Sequence, residues 1–390
     1  MARLGEAFPL IRNGASIKQT DGAGGYPITR IETIANREVD RSKFGYADIN
    51  DLGKYEDYLL HDGDILMSHI NSEKHLGKVA LYRSSGDEHI LHGMNLLLLR
   101  ADTQVVLPSY AAYFFNSDAF LRQIPNITKK SVNQASFTVT ALKELNIPLP
   151  SLDAQVESVK KLDMLSNLIS LRKQQLAKLD ELVKARFVEM FGDVIHNDRQ
   201  WPQRLFSEVA SSRLGKMLDA KQQTGKHSYP YLANFNVQWF QFALDTLNQM
   251  DFDEKDQVEF ALQEGDLLVC EGGEIGRCAV WHNEIQPCYF QKALHRVRCN
   301  KSVILPDYLA WWFKYNCEYG GFSAIEGAKA TIAHLPGTKL KQLQVVVPPR
   351  SLQEQFTDFV EQVNKSKVAV QKALDEAQLL FDSLMQKYFG

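Results

Sequence analysis

Hydrophobic positions along the chain follow two different periods, and these alternate twice. Over residues 1–150 the apolar runs are short and are separated by Gly, Asn and Asp turns, as is typical of strands in a globular domain. Over residues 151–192 the apolar residues recur every three or four positions, as on one face of a helix. Both patterns return over residues 193–350 and 351–390. The chain is therefore predicted to have a mixed α+β fold in which two similar globular domains alternate with two long helices.

Within each globular domain the pattern predicts short strands followed by an aromatic-rich helix. The predicted strands are Leu59–Leu60, Asp64–Met67, Val79–Leu81 and Leu96–Leu99 in the first domain, and Leu267–Val269, Cys278–Trp281 and His295–Arg298 in the second. Proline is favoured in the first turn of a helix, so Pro108 should open a helix that runs from Ser109 to Leu121. A helix from Asp307 to Tyr315 is its expected counterpart.

Each long helix carries a narrow apolar seam. The seam positions are Leu162, Leu165, Ile169, Leu176, Leu179 and Val183 in the first helix, and Val363, Val370, Leu374, Phe381 and Leu384 in the second. A helix of about 40 residues is ~60 Å long, which exceeds the width of a small domain. Such a seam needs a partner, and the nearest is the other helix, so we predict an antiparallel coiled coil. Two ordinary core helices of a larger fold are the alternative.

The two halves of the chain also repeat one another in sequence. Three matched pairs of segments are Gly63–His69 with Gly265–Glu271, Val106–Tyr110 with Ile304–Tyr308, and Ser151–Gln155 with Ser351–Gln355. The period is about 200 residues, far above that of solenoid repeats, so each repeat is a whole domain plus a helix. A pseudo-twofold axis relating the halves would make the helices antiparallel. The framework residues repeat while the stretches between them differ, as expected if the two domains recognise different things.

Composition narrows the class of protein. With 390 residues, 45% of them hydrophobic and 23% charged, the chain has room for two or three ordinary globular domains. No apolar run reaches the roughly 18 residues needed to cross a bilayer, and Arg12 interrupts the only apolar stretch near the start, so we expect no membrane segment and no export signal. The 5 cysteines all lie in the second half without a CxxC pair, which predicts reduced thiols, no metal site and a cytoplasmic protein.

The motifs expected of an enzyme are missing. There is no Walker loop, no GxGxxG after a strand, no HExxH and no GxSxG. The glycine-rich run Gly272–Gly276 has no glycine-rich counterpart in the first domain, so we interpret it as a turn rather than a phosphate cradle. The carboxylates around Gly63 and Gly265 are interpreted as caps of a turn before a buried strand. The chain is therefore predicted to bind rather than to catalyse.

Polar stretches between the framework elements are rich in side chains suited to nucleic acid. Asn and Gln suit adenine, whereas Arg and Lys suit guanine or phosphate. The candidates are Arg30, His69, Asn71, Lys74, His75, Lys78, Lys129, Lys130, Asn133 and Gln134 in the first domain, and Lys226, Tyr229, Asn234, Asn236, Arg277, Lys292, Lys329 and Thr331 in the second. Each alone is more often a solvated loop residue. The net charge of −3 is unusual for a lone DNA-binding domain, so partners would have to supply further phosphate contacts.

Taken together, these marks resemble the specificity subunits of type I restriction–modification systems, and the resemblance covers essentially the whole chain. It is carried by the repeated Gly-Asp-[Ile/Leu]-Leu strand, the Leu-Pro-x-Tyr helix start and the Ser-Leu-x-x-Gln opening of each long helix. The family opening often carries an acidic residue just before the Gln, as Glu354 does before Gln355, and the first helix departs from this because Ala154 precedes Gln155.

The resemblance implies two target-recognition domains, over residues 1–150 and 193–350, held apart by spacer helices at 151–192 and 351–390. Each domain would read one half of a split double-stranded DNA target. The chain would not be an enzyme and would hold no cofactor. Two methyltransferase subunits using S-adenosylmethionine would dock on it, and two restriction subunits using ATP with Mg²⁺ could join them. The alternatives are a related system whose partner fuses methylation and cleavage, and a scaffold that binds proteins instead of DNA.

Overall fold

Residues 1–20, 24–131, 134–219, 223–323 and 334–390 are described by a computed structural model. Their contacts divide the chain into unit 1, which comprises Met1–Gln174 with Gln371–Gly390, and unit 2, which comprises Gln175–Val370. Each unit contains strands and helices around its own core, so the predicted mixed fold is confirmed. In the described part of the chain, no helix is both long enough and apolar enough to cross a membrane.

A four-stranded antiparallel sheet forms the centre of unit 1. Its strands, in spatial order, are Leu10–Asn13, Leu96–Arg100, Ile65–Ser68 and Val79–Leu81. The leucine run Leu96–Leu99 is buried on both faces of the sheet, which explains why it is continuously apolar rather than alternating. Leu97 and Leu99 pack into a cluster with Phe114, while Leu96 and Leu98 pack with Tyr82 on the other face.

Smaller sheets and short helices surround this centre. The further strands of unit 1 are Ala2–Arg3 with Asn146–Ile147, then Gln19–Thr20, Gly45–Ala47 and Tyr26–Ile28, and finally Lys129–Lys130, Ala135–Ser136 and Ile70–Asn71. The α-helices are Leu4–Ala7, Pro108–Phe115, Asp118–Leu121, Ile124–Ile127 and Val139–Lys143, and the 3-10 helices are Ile31–Ile34, Arg41–Lys43, Gly53–Tyr58 and Glu73–His75.

Two predictions for unit 1 need correction. The helix expected from Ser109 to Leu121 is two helices, because the first ends at Phe115 and the side chain of Ser117 caps the second by accepting the Phe120 N–H at 3.3 Å. Leu59–Leu60 is not a strand; Leu59 forms only an isolated bridge with Leu91.

Unit 2 repeats the central sheet with the same order and directions. Its strands are Ala210–Leu214, Leu294–Cys299, Leu267–Cys270 and Cys278–Val280. The other strands are Gln203–Leu205 with Gln344–Val346, Asn248–Asp251 with Ser228–Leu232 and Tyr289–Phe290, and Val237–Gln238 with Gln241–Phe242. The α-helices are Phe206–Val209, Glu254–Phe260, Pro306–Glu318 and Gly337–Lys341, with a 3-10 helix at Asn234–Asn236.

A buried ion pair recurs in the two central sheets. Asp64 is 1% exposed, accepts the His61 N–H at 2.7 Å and pairs with the Arg100 guanidinium through two 2.7 Å contacts. Asp266 accepts the Gln263 N–H at 2.8 Å and pairs with Arg298 at 2.7 and 3.1 Å. The predicted turn-capping carboxylates are therefore confirmed, and each also neutralises an arginine of the neighbouring strand.

The two long helices span Leu152–Phe191 and Arg350–Phe389. In unit 1, the seam residues Leu162, Leu165 and Ile169 are buried, and Leu162 shares a core with Phe389. The seam is narrow because the residues on either side of it are exposed.

Within unit 2 the parts of the two helices that pack together run antiparallel. Phe187 lies 5.5 Å from Phe356 between ring centroids, while Asp180, earlier in the first helix, pairs with Lys367, later in the second. Phe187 is among the largest fully buried side chains, although the seam predicted from the sequence omitted it. Its ring is packed among aromatic residues of helix Pro306–Glu318, which the heptad-like pattern alone does not reveal.

A buried glutamine fixes the start of each long helix. The Gln155 side chain accepts the Leu107 N–H at 2.9 Å and donates to the Val105 and Pro150 carbonyls at 3.0 Å. Gln353 makes the same three bonds, accepting from Leu305 at 2.8 Å and donating to Val303 and Pro348 at 3.0 and 2.9 Å.

Gln353 is therefore the structural equivalent of Gln155 in the second repeat, and the match of Gln155 with Gln355 made from the sequence is wrong by two residues. The error arose because Ser351–Gln355 happens to repeat the Ser-Leu-x-x-Gln spacing two residues beyond the structurally equivalent register. The residue before each structurally equivalent glutamine is Ala154 or Leu352, so neither helix has an acidic residue at that position, and Glu354 follows its glutamine instead of preceding it.

Candidate nucleic-acid interface

One edge of each central sheet collects the loops that carry the predicted DNA-binding residues. Neighbouring strands are antiparallel, so in unit 1 strands Leu10–Asn13 and Ile65–Ser68 end where Val79–Leu81 and Leu96–Arg100 begin. We call this the loop edge, and unit 2 has the equivalent edge after Leu214 and Cys270. At the opposite edge of the unit 1 sheet the chain packs closely, because a Cβ at Gly63 would come within 3.1 Å of Pro108 at the start of a helix.

In unit 1 the loop edge brings together most of the predicted residues. They are His69, Asn71, Lys74, His75 and Lys78 after strand Ile65–Ser68, Lys129 and Lys130 on the adjoining small sheet, and Gln134 immediately before strand Ala135–Ser136 of that sheet. The two groups meet because Ala135 pairs with Asn71 and Ser136 with Ile70. Lys130 also forms an ion pair with Glu73 at 3.0 Å.

The charges at this edge create a positive local field. Lys74, Lys129 and Lys130 are exposed, and Lys78 is half-buried. Partial burial lowers the pKa of His75, and the nearby Lys78 and Lys74 cations lower it further. A neutral histidine among lysines leaves the lysines as the phosphate-attracting groups near neutral pH.

His69 has a framework position rather than a surface one. Its side chain is buried against the Phe137 ring, and desolvation lowers the pKa of its imidazole to about 4. A neutral, buried imidazole contributes no charge to a DNA contact. Arg30 is also engaged locally, because its guanidinium donates to the Gln19 side chain at 2.8 Å and to the Thr20 carbonyl at 3.3 Å.

In unit 2, Asn234, Arg277 and Lys292 lie at the loop edge. The Asn234 amide donates to the Gly272 carbonyl at 3.1 Å, and Arg277 donates to the Asn234 carbonyl at 3.1 Å. Lys292 is exposed next to the start of strand Leu294–Cys299. Arg277 is also 3.5 Å from Glu274, so part of its charge is balanced within the unit.

The remaining predicted residues of unit 2 do not share this position. Asn236 is 1% exposed, and its side-chain amide hydrogen-bonds to the backbone of Ala233, Ala243 and Thr246. It therefore stabilises a turn and is not available for DNA. Lys226 and Tyr229 lie toward the start of strand Ser228–Leu232, whereas the loop edge adjoins its end. Asn133, Lys329 and Thr331 lie outside the described residues.

Two exposed side chains at the loop edge were not predicted. Glu32 and Phe235 each occupy the tip of a short 3-10 turn beside this edge, and Phe235 is 51% exposed. The available signal was an aromatic residue inside the otherwise polar run Asn234–Asn236. Among the residues that the structure describes, no group of three His, Cys, Asp or Glu side chains is placed to hold a metal ion.

Comparison with known proteins supplies the family. The model of the type I restriction modification DNA specificity domain matches residues 1–181 and again residues 199–377. The chain belongs to this family. The double match agrees with the repeated central sheets, since one specificity domain model covers each half.

Curated relatives carry the same description. The chain is 40% identical over 209 residues to the putative type I restriction enzyme MjaX specificity subunit of Methanocaldococcus jannaschii, covering 53% of this chain and 48% of that protein. It is 26% identical over 156 residues to the type I restriction enzyme EcoKI specificity subunit of Escherichia coli, covering 40% of this chain and 33% of that one. The chain thus matches half or less of the length of these curated relatives.

Two solved structures share the fold across the whole chain. A type I restriction–modification S subunit from M. genitalium superposes with a TM-score of 0.61 at 14% identity, covering 100% of this chain and 95% of that one. A chain from a study of complex assembly and conformational transition of the type I R-M system gives 0.58 at 16% identity, covering 100% and 96%. At these identities the likeness supports the fold alone.

Proposed function

We propose that this specificity-family chain recognises a split DNA target, with each unit reading one half through its loop edge. The observation that carries the proposal is the repetition of one edge geometry with different side chains on it. In unit 1 the edge presents Lys74, Lys129 and Lys130, whereas in unit 2 it presents Asn234 and Lys292. A shared framework with divergent loops suits two half-sites of different sequence.

The long helices would set the spacing between the half-sites. Two units that meet one face of a duplex read half-sites centred about 10 base pairs, ~34 Å, apart. We propose that the two long helices pack against one another as an antiparallel coiled coil. Removal of one heptad from both helices should then shorten the unread spacer, and an unchanged spacer would contradict this role.

The helices would also dock the catalytic partners. Outside its buried seam, the first helix exposes a second set of large apolar side chains, Met164, Leu168 and Leu171, of which Met164 and Leu171 are 64% and 61% exposed. We propose that two methyltransferase subunits cover such surfaces and that two restriction subunits can join them. The chain itself would supply recognition only. S-adenosylmethionine would be bound by the methyltransferase, and ATP with Mg²⁺ by the restriction subunit.

A methylome tests the recognition role directly. The chain is expressed with a cognate methyltransferase subunit, and modified adenines are mapped by single-molecule sequencing with and without the chain. A split motif that appears only when the chain is present is expected. Identical maps from a complex that assembles would favour the protein-binding scaffold instead.

A charge reversal tests whether the loop edge faces the phosphates. Lys129→Glu should weaken binding of the assembled complex to its target and flatten the salt dependence, because one phosphate contact changes the slope of log K against log[salt] by about 1. Lys54→Glu is the matched control, since Lys54 is an exposed lysine of unit 1 outside the loop edge. If the two substitutions weaken DNA binding equally, the loop edge does not contact the phosphates more than the rest of the unit 1 surface does.

A further inference from the structure

An equivalent turn stands beside the loop edge in both units. In unit 1 the Thr33 hydroxyl accepts the Arg30 N–H at 2.9 Å, and in unit 2 the Asn236 amide oxygen accepts the Ala233 N–H at 2.9 Å. Each turn follows a strand, begins from an extended residue and continues as a 3-10 helix. We call these the tip turns. Both turns therefore have a side-chain cap at the same position, although the type of the capping residue differs between the units.

Hydrogen bonds fix each tip turn to its unit. In unit 2 the Asn234 amide donates to Gly272 in the loop after the central strand, and Arg277 donates to the Asn234 carbonyl. In unit 1 the Gly93 N–H donates to the Thr29 hydroxyl at 2.9 Å, immediately before the turn. Ordering the backbone at an exposed position costs conformational entropy, and these hydrogen bonds offset that cost. The turns can therefore hold their tip side chains in a defined place.

The two tip turns differ in the chemistry of the residue at the tip. By the register of the capping bonds, Glu32 of unit 1 occupies the position of Phe235 in unit 2. Both are exposed, and Phe235 is held there although more than half of its surface faces solvent. The nearby Phe240 is also partly exposed, but its ring stacks on Trp311 at 4.5 Å, so packing within the unit accounts for it.

We propose that Glu32 and Phe235 are base-contacting specificity determinants, one for each half-site. This inference rests on the proposed function and identifies its contacts. A carboxylate accepts a hydrogen bond from the cytosine N4 amino group in the major groove, and an aromatic side chain packs on the thymine methyl group. Glu32 therefore selects a cytosine-containing pair in the half-site of unit 1, and Phe235 selects a thymine-containing pair in that of unit 2.

DNA is the ligand that the surroundings of Phe235 favour. Arg277, part of whose charge is balanced by Glu274, is bonded to the backbone of the same turn, and Lys292 is exposed on the same edge, so the edge that carries the ring also carries cationic side chains. A surface that docks an apolar protein partner would instead be expected to extend the apolar area around the ring. Docking of a protein on Phe235 is the outcome that the assembly measurement below would reveal.

The test uses the full chain in complex with a cognate methyltransferase subunit. Competition binding is measured on duplexes that carry the methylome-derived target with each base pair substituted in turn. Glu32→Ala should reduce discrimination about tenfold at one position of one half-site and leave the other half-site unchanged. Phe235→Ala should do the same in the opposite half-site, and Phe235→Leu should keep part of the preference because leucine still contacts a methyl group.

Two exposed residues serve as matched controls. Glu6→Ala removes a carboxylate from unit 1, and Val258→Ala truncates an 86% exposed apolar side chain of unit 2, and neither residue is in a tip turn. Unchanged discrimination in both tip variants, or an equal loss in both half-sites, overturns the inference. So does a Phe235→Ala chain that no longer assembles with the methyltransferase. A wild-type complex that discriminates at no position would instead refute the proposed function itself.

Discussion

Replacement of Gln353 by alanine should destabilise unit 2 strongly. Gln353 is 0% exposed and makes hydrogen bonds to the backbone of Leu305, Val303 and Pro348. A buried hydrogen bond contributes about 1 kcal/mol net, and removing one side leaves the partners without replacement. Three such bonds predict a loss of ~3 kcal/mol in the free energy of unfolding.

Tryptophan fluorescence during urea unfolding measures this loss where it occurs. All 5 tryptophans of the chain lie between residues 175 and 370, so the signal reports unit 2. The urea concentration at the midpoint of unfolding should be well below that of the wild type in Gln353→Ala, while the dependence of the unfolding free energy on urea concentration should change little.

The matched control comes from the same turn of the helix. Gln355 is the residue that the sequence repeat pairs with Gln155, and its side chain is exposed, so Gln355→Ala should change stability by no more than about 0.5 kcal/mol. Equal shifts for the two variants, or a larger shift for Gln355→Ala, would refute the structural equivalence of Gln353 with Gln155.

Three further outcomes are expected from the buried groups. Asp64→Ala should lower the free energy of unfolding by about 3 kcal/mol in urea titrations followed by circular dichroism, because it leaves Arg100 without its buried partner; an unchanged midpoint would contradict the role of this pair. Cys288, whose pKa burial raises to about 12, should resist iodoacetamide at pH 8 until urea is added, as judged by mass spectrometry, and native labelling would show that the thiol is accessible. Burial lowers the pKa of His69 to about 4 and that of His92 to about 3, below the unfolded value near 6.5, so the unfolded chain binds more protons between these values. Stability should therefore fall as the pH drops from about 6.5 toward 4, and the fall should be smaller in His92→Gln; an equal fall in that variant would assign the effect to other groups.

The amino-acid sequence was sufficient to predict the class of fold and the repetition of one domain with its helix. Short apolar runs between turn residues, followed by a long stretch with helical spacing, indicate strands and helices because each secondary structure buries side chains at its own period. Leu162 and Val183 were predicted in the seam and are buried for that reason. The repeated motifs at Gly63 and Gly265 located the two sheets because the turn before each strand needs glycine, here at φ +89 and +84.

Which residues meet at the loop edge, and what each does there, depends on how the chain packs in three dimensions. Asn236 and His69 looked like surface polar residues, but their burial depends on long-range packing that residue type does not encode. The equivalence of Gln155 and Gln353 follows from the hydrogen bonds that each makes to a loop about 50 residues earlier in its own repeat, and a short sequence motif contains no information about such bonds. Glu32 and Phe235 have no resemblance in sequence, and only the two capping hydrogen bonds place them at the same point of one repeated framework.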